Sequence, residues 1–174
     1  MPNSELLYSS RWLSLNRIDH WDFVKRPHSD AAVGILAITE EQEIVLVEQY
    51  RIPMQKRVIE LPAGLVGDEP EFAHESLAES AGRELLEETG YAAASIKALL
   101  SSPTSSGMTS ETTHLFSATG LTKTQEGGGV AGEEISVHRI PIADLRHWLL
   151  AQEQGGKSVD LKIYAALAAA NVRF

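Results

Sequence analysis

The sequence predicts an α/β sandwich in a single domain covering residues 1–174, on three observations. Short apolar runs of strand length, rich in β-branched residues, recur as far as Ile140. Three helical segments are mixed among them, one with a dense set of acids. No internal repeat or linker divides the chain, and 174 residues are enough for one substantial core.

In order, Ser10 to Val24 alternates aromatic and aliphatic residues with polar ones and reads as one or two strands before a turn at Pro27. Residues 1–28 are therefore expected to be an N-terminal β segment. Ala31–Ile38 and Glu43–Gln49 are predicted strands joined by a hairpin turn at residues 39–42. Arg57–Leu61 is a short strand that stops at Pro62, ahead of the Leu61-Pro62-Ala63-Gly64 turn. Ser76 with Glu79 three residues later is a capping box, and Gly90 suits a C′ position, so a helix runs between them. Ser95–Ser101 and Glu111–Ala118 follow as strands. Residues 122–132, polar and glycine-rich, read as a mobile loop. Glu134–Ile140 alternates as a strand, Pro141 opens a helix over Ile142–Ala151, and the alanine-rich stretch Ser158–Ala170 is a closing helix.

Apolar residues make up 43% and charged residues 22% of the chain, ordinary values for a soluble globular protein. A net charge of −9 argues against a nucleic-acid partner. Between Gly67 and Gly90, eight acids and one base carry −7 of that total, a local anionic patch. The absence of cysteine excludes a disulfide scaffold, a thiol nucleophile and a thiolate zinc site, and fits a cytoplasmic location. No run approaches the ~18 apolar residues of a membrane span, and the start Met-Pro-Asn-Ser-Glu has no apolar signal core, so no membrane partner is expected. The six histidines form no close metal-binding pair, and Gly127-Gly128-Gly129 is not followed by the Lys-Ser/Thr of a phosphate loop.

The decisive stretch holds Arg83, Glu84, Glu87 and Glu88. On a helix, Glu84 lies three residues from Glu87 and four from Glu88, so the three acids share one face. Two carboxylates about 6 Å apart repel by roughly 3 kcal/mol at an effective dielectric of about 20. A hard divalent cation turns that liability into a site, since Mg²⁺ takes carboxylate and phosphate oxygens together. The alternative is a solvated acidic face. Arg83, four residues before Glu87, bridges to an acid and holds it in place.

Glu75, seven residues, and then Arg83-Glu84-Leu85-Leu86-Glu87-Glu88-Thr89-Gly90-Tyr91 resembles the Nudix box, G-x5-E-x7-R-E-U-x-E-E-x-G-U with U apolar. Every fixed position from Glu75 onward matches. At the box's glycine position stands Glu69; the counterpart is Gly64, separated from Glu75 by ten residues instead of five, as a five-residue expansion within residues 65–74 would produce. The resemblance implies the Nudix fold, a mixed β-sheet sandwiched between helices. It also implies hydrolysis of a nucleoside diphosphate linked to another moiety, with Mg²⁺ or Mn²⁺ as cofactor. Carried over by position, Glu84 and Glu88 are the principal metal ligands, Glu87 assists, Arg83 orients them and Glu75 stabilises the box loop. Ala63 corresponds to a residue whose backbone carbonyl binds metal in the ADP-ribose pyrophosphatase branch.

Val47-Glu-Gln-Tyr-Arg-Ile-Pro and Arg57-Val-Ile-Glu-Leu-Pro-Ala-Gly resemble that branch and its relatives acting on nucleoside diphosphate sugars. They make Arg51 and Arg57 candidate phosphate ligands flanking the site, and Glu60 a candidate acceptor for a base or ribose. Residues 102–111 resemble the branch's substrate loop, with Met108 and Glu111 as candidate contacts. The branch carries its general base on a late glutamate loop, where Glu133 is the first choice as base or further metal ligand, with Glu134 and Glu111 as rivals. Glycines ahead of Glu133 would let that loop close over substrate. Trp12, Trp21 and Phe23 are expected in the core, with stacking of one on a purine as the alternative. The resemblance implies a homodimer with the N-terminal strands between subunits. ADP-ribose, giving AMP and ribose 5-phosphate, is the leading substrate. GDP-mannose, another nucleoside diphosphate sugar, a dinucleoside polyphosphate and an oxidised nucleotide are alternatives, as is a sensor that binds without cleaving.

Overall fold

The computed structural model describes residues 4–27, 29, 31–67, 70–129 and 134–174. An antiparallel N-terminal sheet contains β1 (Glu5–Ser9), β2 (Ser14–Ile18) and β3 (Trp21–Lys25). This is a strand more than the sequence predicted. All five β1 residues are exposed, so its apolar positions follow no inward face that a period of two would reveal.

The main sheet is mixed. Its strands are β4 (Ala31–Ile38), β5 (Glu43–Arg51), β6 (Lys56–Glu60), β7 (Ala63–Leu65), β8 (Tyr91–Pro103), β9 (Thr112–Lys123), β10 (Ser136–Pro141) and β11 (Ser158–Val159). The central path runs β11-β6-β5-β4-β9-β8, with β10 paired to β5 and β7 to β4. The β4/β9 and β11/β6 pairs are parallel and the rest antiparallel. The expected hairpin at residues 39–42 is present, closed by the Thr39 N–H on the Glu43 carbonyl at 2.9 Å.

Three α-helices cover the two faces: α1 (Leu77–Thr89), α2 (Leu145–Gln154) and α3 (Leu161–Ala169). Alternation along the strands makes two cores. Val33, Ile35 and Ala37 of β4 pack with Val45 of β5 against Ala81 and Leu85 of α1. Leu36, Ile44 and Leu46 point the other way, onto Leu145 and Leu149 of α2 and Ile163 and Leu167 of α3. The predicted sandwich is the architecture observed.

Several boundaries move. Strands β8 and β9 outrun the predicted Ser95–Ser101 and Glu111–Ala118 because they pair with each other from Tyr91–Lys123 to Pro103–Thr112, and backbone pairing extends past the apolar pattern. The closing helix starts at Leu161, not Ser158, because Ser158 and Val159 pair with Val58 and Ile59 and Asp160 then caps the helix, its side chain accepting from the Lys162 N–H. Pro141 ends β10 and leads into a 3-10 turn before α2.

Residues 122–132, predicted to be a mobile loop, begin inside β9 with Thr122 and Lys123. The glycines that follow dock onto the end of α1. Gly128 N–H donates to the Glu88 carbonyl at 2.8 Å and Gly129 N–H to the Glu87 carbonyl at 3.1 Å. Positive φ at Gly127 (78°) brings the loop so close to Thr89 that a Cβ there would lie 2.4 Å from the Thr89 carbonyl carbon. The glycine freedom is used to fasten this segment.

Candidate active site

Both ends of α1 are fixed. The Ser76 hydroxyl accepts from the Glu79 N–H, and the Glu79 carboxylate accepts from the Ser76 N–H at 2.8 Å, the capping box expected from the sequence. At the other end Gly90 takes the left-handed conformation (φ 75°) and its N–H donates to the Leu86 carbonyl at 2.8 Å. Thr89 returns its hydroxyl to the Leu85 carbonyl.

Arg83 is the hub between them. Its Nε donates to Glu75 at 3.1 Å, and its Nη1 lies 2.9 Å from Glu84 and 3.0 Å from Glu87. The Phe72 ring packs on its guanidinium, 4.2 Å from Cζ to the ring centre. Burial works against the charge of Arg83, but Glu84, Glu75 and Glu87 outweigh it and raise its pKa above the ordinary arginine value. Its Nη2 is buried without a hydrogen-bond partner.

Ala63 and Gly64, predicted as part of a turn, begin β7 through pairing with β4 and close on the same acids. Ala63 N–H donates to the buried Glu88 carboxylate at 3.0 Å. Gly64 faces Glu84 so closely that a Cβ on it would lie 2.0 Å from the Glu84 carboxyl carbon. The backbone here therefore fits against Glu84 only with glycine at position 64. Glu69, at the box's glycine position by spacing, lies outside the described residues.

A cleft of about 750 Å³ opens here. Arg83, Glu84, Glu87, Glu88 and Ala63 line it, and so do Arg51, Glu60 and Glu111. Arg51 Nε donates to the buried Glu60 carboxylate at 2.7 Å. Glu111 accepts from Arg26 at 2.8 Å and from Thr104 at 3.2 Å.

Other expected residues sit elsewhere. Arg57 does not line the cleft. It is paired with Glu134 at 3.2 Å and lies 3.7 Å from Glu48. The register explains this: Tyr50 pairs with Arg57 and Arg51 with Lys56, so alternation sends the two arginines to opposite faces. Met108 is exposed and outside the cleft lining; its carbonyl accepts from the Val24 N–H at 2.8 Å, tying the loop to β3. Glu133 lies outside the described residues. Trp12 and Trp21 are exposed rather than core, with Trp21 Nε1 donating to the Gly107 carbonyl at 3.0 Å.

The sequence reading missed Arg26, Gln49, Thr113 and Lys162, all of which line the cleft. Arg26 reaches it through a partner 85 positions away, which no local spacing encodes.

For a divalent cation the donor chemistry fits: three carboxylates, Glu84, Glu87 and Glu88, line the cleft beside a cradle that a Cβ would fill. Among the described residues, no three acidic or histidine side chains are already gathered as a metal cage. Arg83 Nη1 has drawn Glu84 and Glu87 to itself.

The NUDIX domain model matches residues 28–164, and the chain belongs to the Nudix family. It is 40% identical over 115 residues to a methanol dehydrogenase activator of Bacillus methanolicus, covering 65% of this chain and 57% of the relative. It is 38% identical over 126 residues to an ADP-ribose pyrophosphatase of Bacillus subtilis (strain 168), covering 71% of this chain and 63% of the relative. The chain thus spans less than two thirds of the length of these two relatives. Its fold is that of the crystal structure of an ADP compounds hydrolase, with a TM-score of 0.67 at 21% identity over 86% of this chain and 93% of that one. No helix among the described residues is long and apolar enough to cross a membrane.

Proposed function

We propose that this protein is a pyrophosphatase that uses Mg²⁺ or Mn²⁺ to hydrolyse a nucleoside diphosphate linked to a sugar, with ADP-ribose as the leading substrate. One observation carries the reading: Glu84, Glu87 and Glu88 line a single cleft that Arg51 also lines. The name of the Bacillus subtilis relative supports the substrate.

Glu84 and Glu88 would hold the cation, assisted by Glu87 and the Ala63 carbonyl. Such an ion, when bound, neutralises charge on a diphosphate and acidifies water. The protein's own groups do the rest. Arg51 offers a guanidinium to a phosphate, with Glu60 holding it in one orientation. Arg83 spaces the acids apart, and its stacking on Phe72 keeps it in place. Water attacks one phosphorus, the bridging P–O bond breaks, and a base takes the water's proton. AMP and ribose 5-phosphate leave. Glu133 is our choice for that base; of its rivals, Glu111 lines the cleft and Glu134 is held by Arg57. Arg57 would act on the substrate only after leaving Glu134.

A homodimer through the N-terminal sheet is part of the reading, favoured by the exposure of Leu6, Tyr8 and Trp12 there. Sedimentation that finds only monomer would remove it. The substrate is tested with a panel of ADP-ribose, GDP-mannose, a dinucleoside polyphosphate and an oxidised nucleotide in Mg²⁺, with ADP-ribose expected to be cleaved fastest. Tight ADP-ribose binding without product over hours would make the protein a sensor instead.

A further inference from the structure

An α-helix leaves its last carbonyls without partners of its own, and caps or water ordinarily satisfy them. Helix α1 is already closed by Gly90, whose N–H returns to the Leu86 carbonyl. Yet one segment, residues 123–129, serves every carbonyl from Leu86 to Gly90. Gln125 Nε2 donates to Leu86 at 3.1 Å and Lys123 Nζ to Thr89 at 2.7 Å. Backbone N–H groups of Gly129, Gly128 and Thr124 donate to Glu87 at 3.1 Å, Glu88 at 2.8 Å and Gly90 at 2.9 Å.

The seam between helix and segment is too close for side chains on either side. Gly127 meets Thr89 as described above, and a Cβ on Gly90 would lie 2.0 Å from the Gln125 carbonyl oxygen. Gly90 therefore both ends the helix and admits the segment. Lys123 bolts the seam. Its Nζ also donates to the Glu126 carbonyl at 2.8 Å and stands 5.2 Å from the centre of the buried Tyr91 ring. One ammonium thus joins helix end, segment and core, and sets positive charge at the negative end of the helix.

Ending α1 does not require this, because the Gly90 cap suffices, and ordering three consecutive glycines costs backbone entropy. What the segment adds is a hold, from outside the helix, on the backbone of Glu87 and Glu88, whose side chains line the cleft. Their carbonyls run along the helix axis into the segment, so its position sets where both carboxylates start. Mg²⁺ demands near-octahedral oxygens at about 2.1 Å, and small displacements of a carboxylate spoil that geometry.

We infer that residues 123–129 are a positioning strap for the cation site: Lys123 and the Gly90–Gly127 seam hold Glu87 and Glu88 in the geometry that a divalent cation requires. The inference rests on the proposed function for the cation, and its test is built so that either can fail alone. Linkage makes the coupling reciprocal: what the strap contributes to cation affinity, a bound cation returns to the strap.

The test is calorimetric titration of Mn²⁺ into wild type, Gly127→Ala, Lys123→Met, Lys123→Arg and Glu48→Gln, with amide hydrogen exchange at Gly128 and Gly129 with and without Mg²⁺. Affinity should fall at least ~10-fold in Gly127→Ala and about 3-fold in Lys123→Met, with most of the latter restored in Lys123→Arg. Glu48→Gln, whose partners lie outside the strap, should bind as wild type does even though it is less stable. Exchange at Gly128 and Gly129 should slow at least ~3-fold with Mg²⁺ in wild type and stay unchanged in Glu88→Gln. If Gly127→Ala does not fold, the two Lys123 variants and the exchange measurement decide. Wild-type affinity in Lys123→Met, a loss that arginine does not restore, an equal loss in Glu48→Gln, or exchange indifferent to Mg²⁺ would each overturn the inference. Strap-dependent Mn²⁺ binding by a protein that cleaves no nucleotide sugar keeps the strap and removes the proposed reaction. Cleavage with Mn²⁺ binding indifferent to the strap variants does the reverse.

Discussion

Two charge clusters in this molecule are built as opposites. Around Arg83 a single cation is shared among Glu75, Glu84 and Glu87 beside an open cleft. Around Glu48 a single carboxylate, 5% exposed, is shared among Lys157 at 2.8 Å, His138 at 2.9 Å and Arg57 at 3.7 Å. The first leaves negative charge in excess where a ligand can enter. The second surrounds one buried acid with partners from β6, β10 and the turn after α2, tying those elements together. Burial alone does not distinguish them, because Glu88 in the cleft is also 5% exposed. The sign of the surplus charge and its access to solvent do.

The difference makes separable predictions, since the acids of the first cluster should matter to chemistry and the acid of the second to folding. Glu84→Gln and Glu88→Gln should each lower turnover by about 10²-fold or more while the melting temperature barely moves, as activity assays and calorimetry would show. Gln at 88 can still accept from the Ala63 N–H, so the fold has no reason to suffer. Gly64→Ala comes next, with an expected loss of roughly 10- to 100-fold, because its new Cβ must displace the Glu84 carboxylate. Wild-type turnover in that variant would mean that Glu84 takes no part.

Glu48→Gln should do the opposite. Removing one partner of a buried ion pair costs about 3 kcal/mol, or roughly 10 °C in melting temperature for a chain of this size. Turnover per folded molecule should stay near wild type. Burial pushes the Glu48 pKa up, but hydrogen bonds from Lys157 and His138 outweigh it and hold it below the ordinary 4.5. A depressed carboxylate pKa contributes stability that is complete above the unfolded value and is lost as pH falls through the folded one. The melting-temperature gap between wild type and Glu48→Gln should therefore be constant near neutrality and close as pH drops below about 4.5. A gap that widens on acidification would reverse the assignment. The smallest effect is expected at Lys123, whose Nζ donates to the Thr89 carbonyl at 2.7 Å at the end of α1. Lys123→Met should cost about 0.5 kcal/mol in chemical denaturation.

The same contrast explains what could be read from the sequence. The first cluster is local: Ser76, Glu79, Arg83 and Gly90 lie within one helix and its caps, so spacing alone placed the acids on one face. Gly64 was harder, because ten residues rather than five separate it from Glu75; its contact with Glu84 supports the match to the box's glycine. The Glu48 cluster joins residues 90 and 109 positions apart and leaves no periodic trace. Arg51 and Arg57 looked equivalent because both lie in segments that resemble the same branch, whereas register separates them. The triple glycine signalled freedom, but freedom also permits the close approach by which Gly128 and Gly129 cap the backbone of Glu87 and Glu88.

The most direct test of the central claim is isothermal calorimetry of Mg²⁺ and Mn²⁺ on the wild type, Glu84→Gln, Glu88→Gln and Glu48→Gln. The account predicts saturable uptake by the wild type and by Glu48→Gln at a temperature where both are folded, with at least ~10-fold weaker binding in the two cleft variants. Equal binding by all four proteins, or none by the wild type with ADP-ribose present, would contradict it.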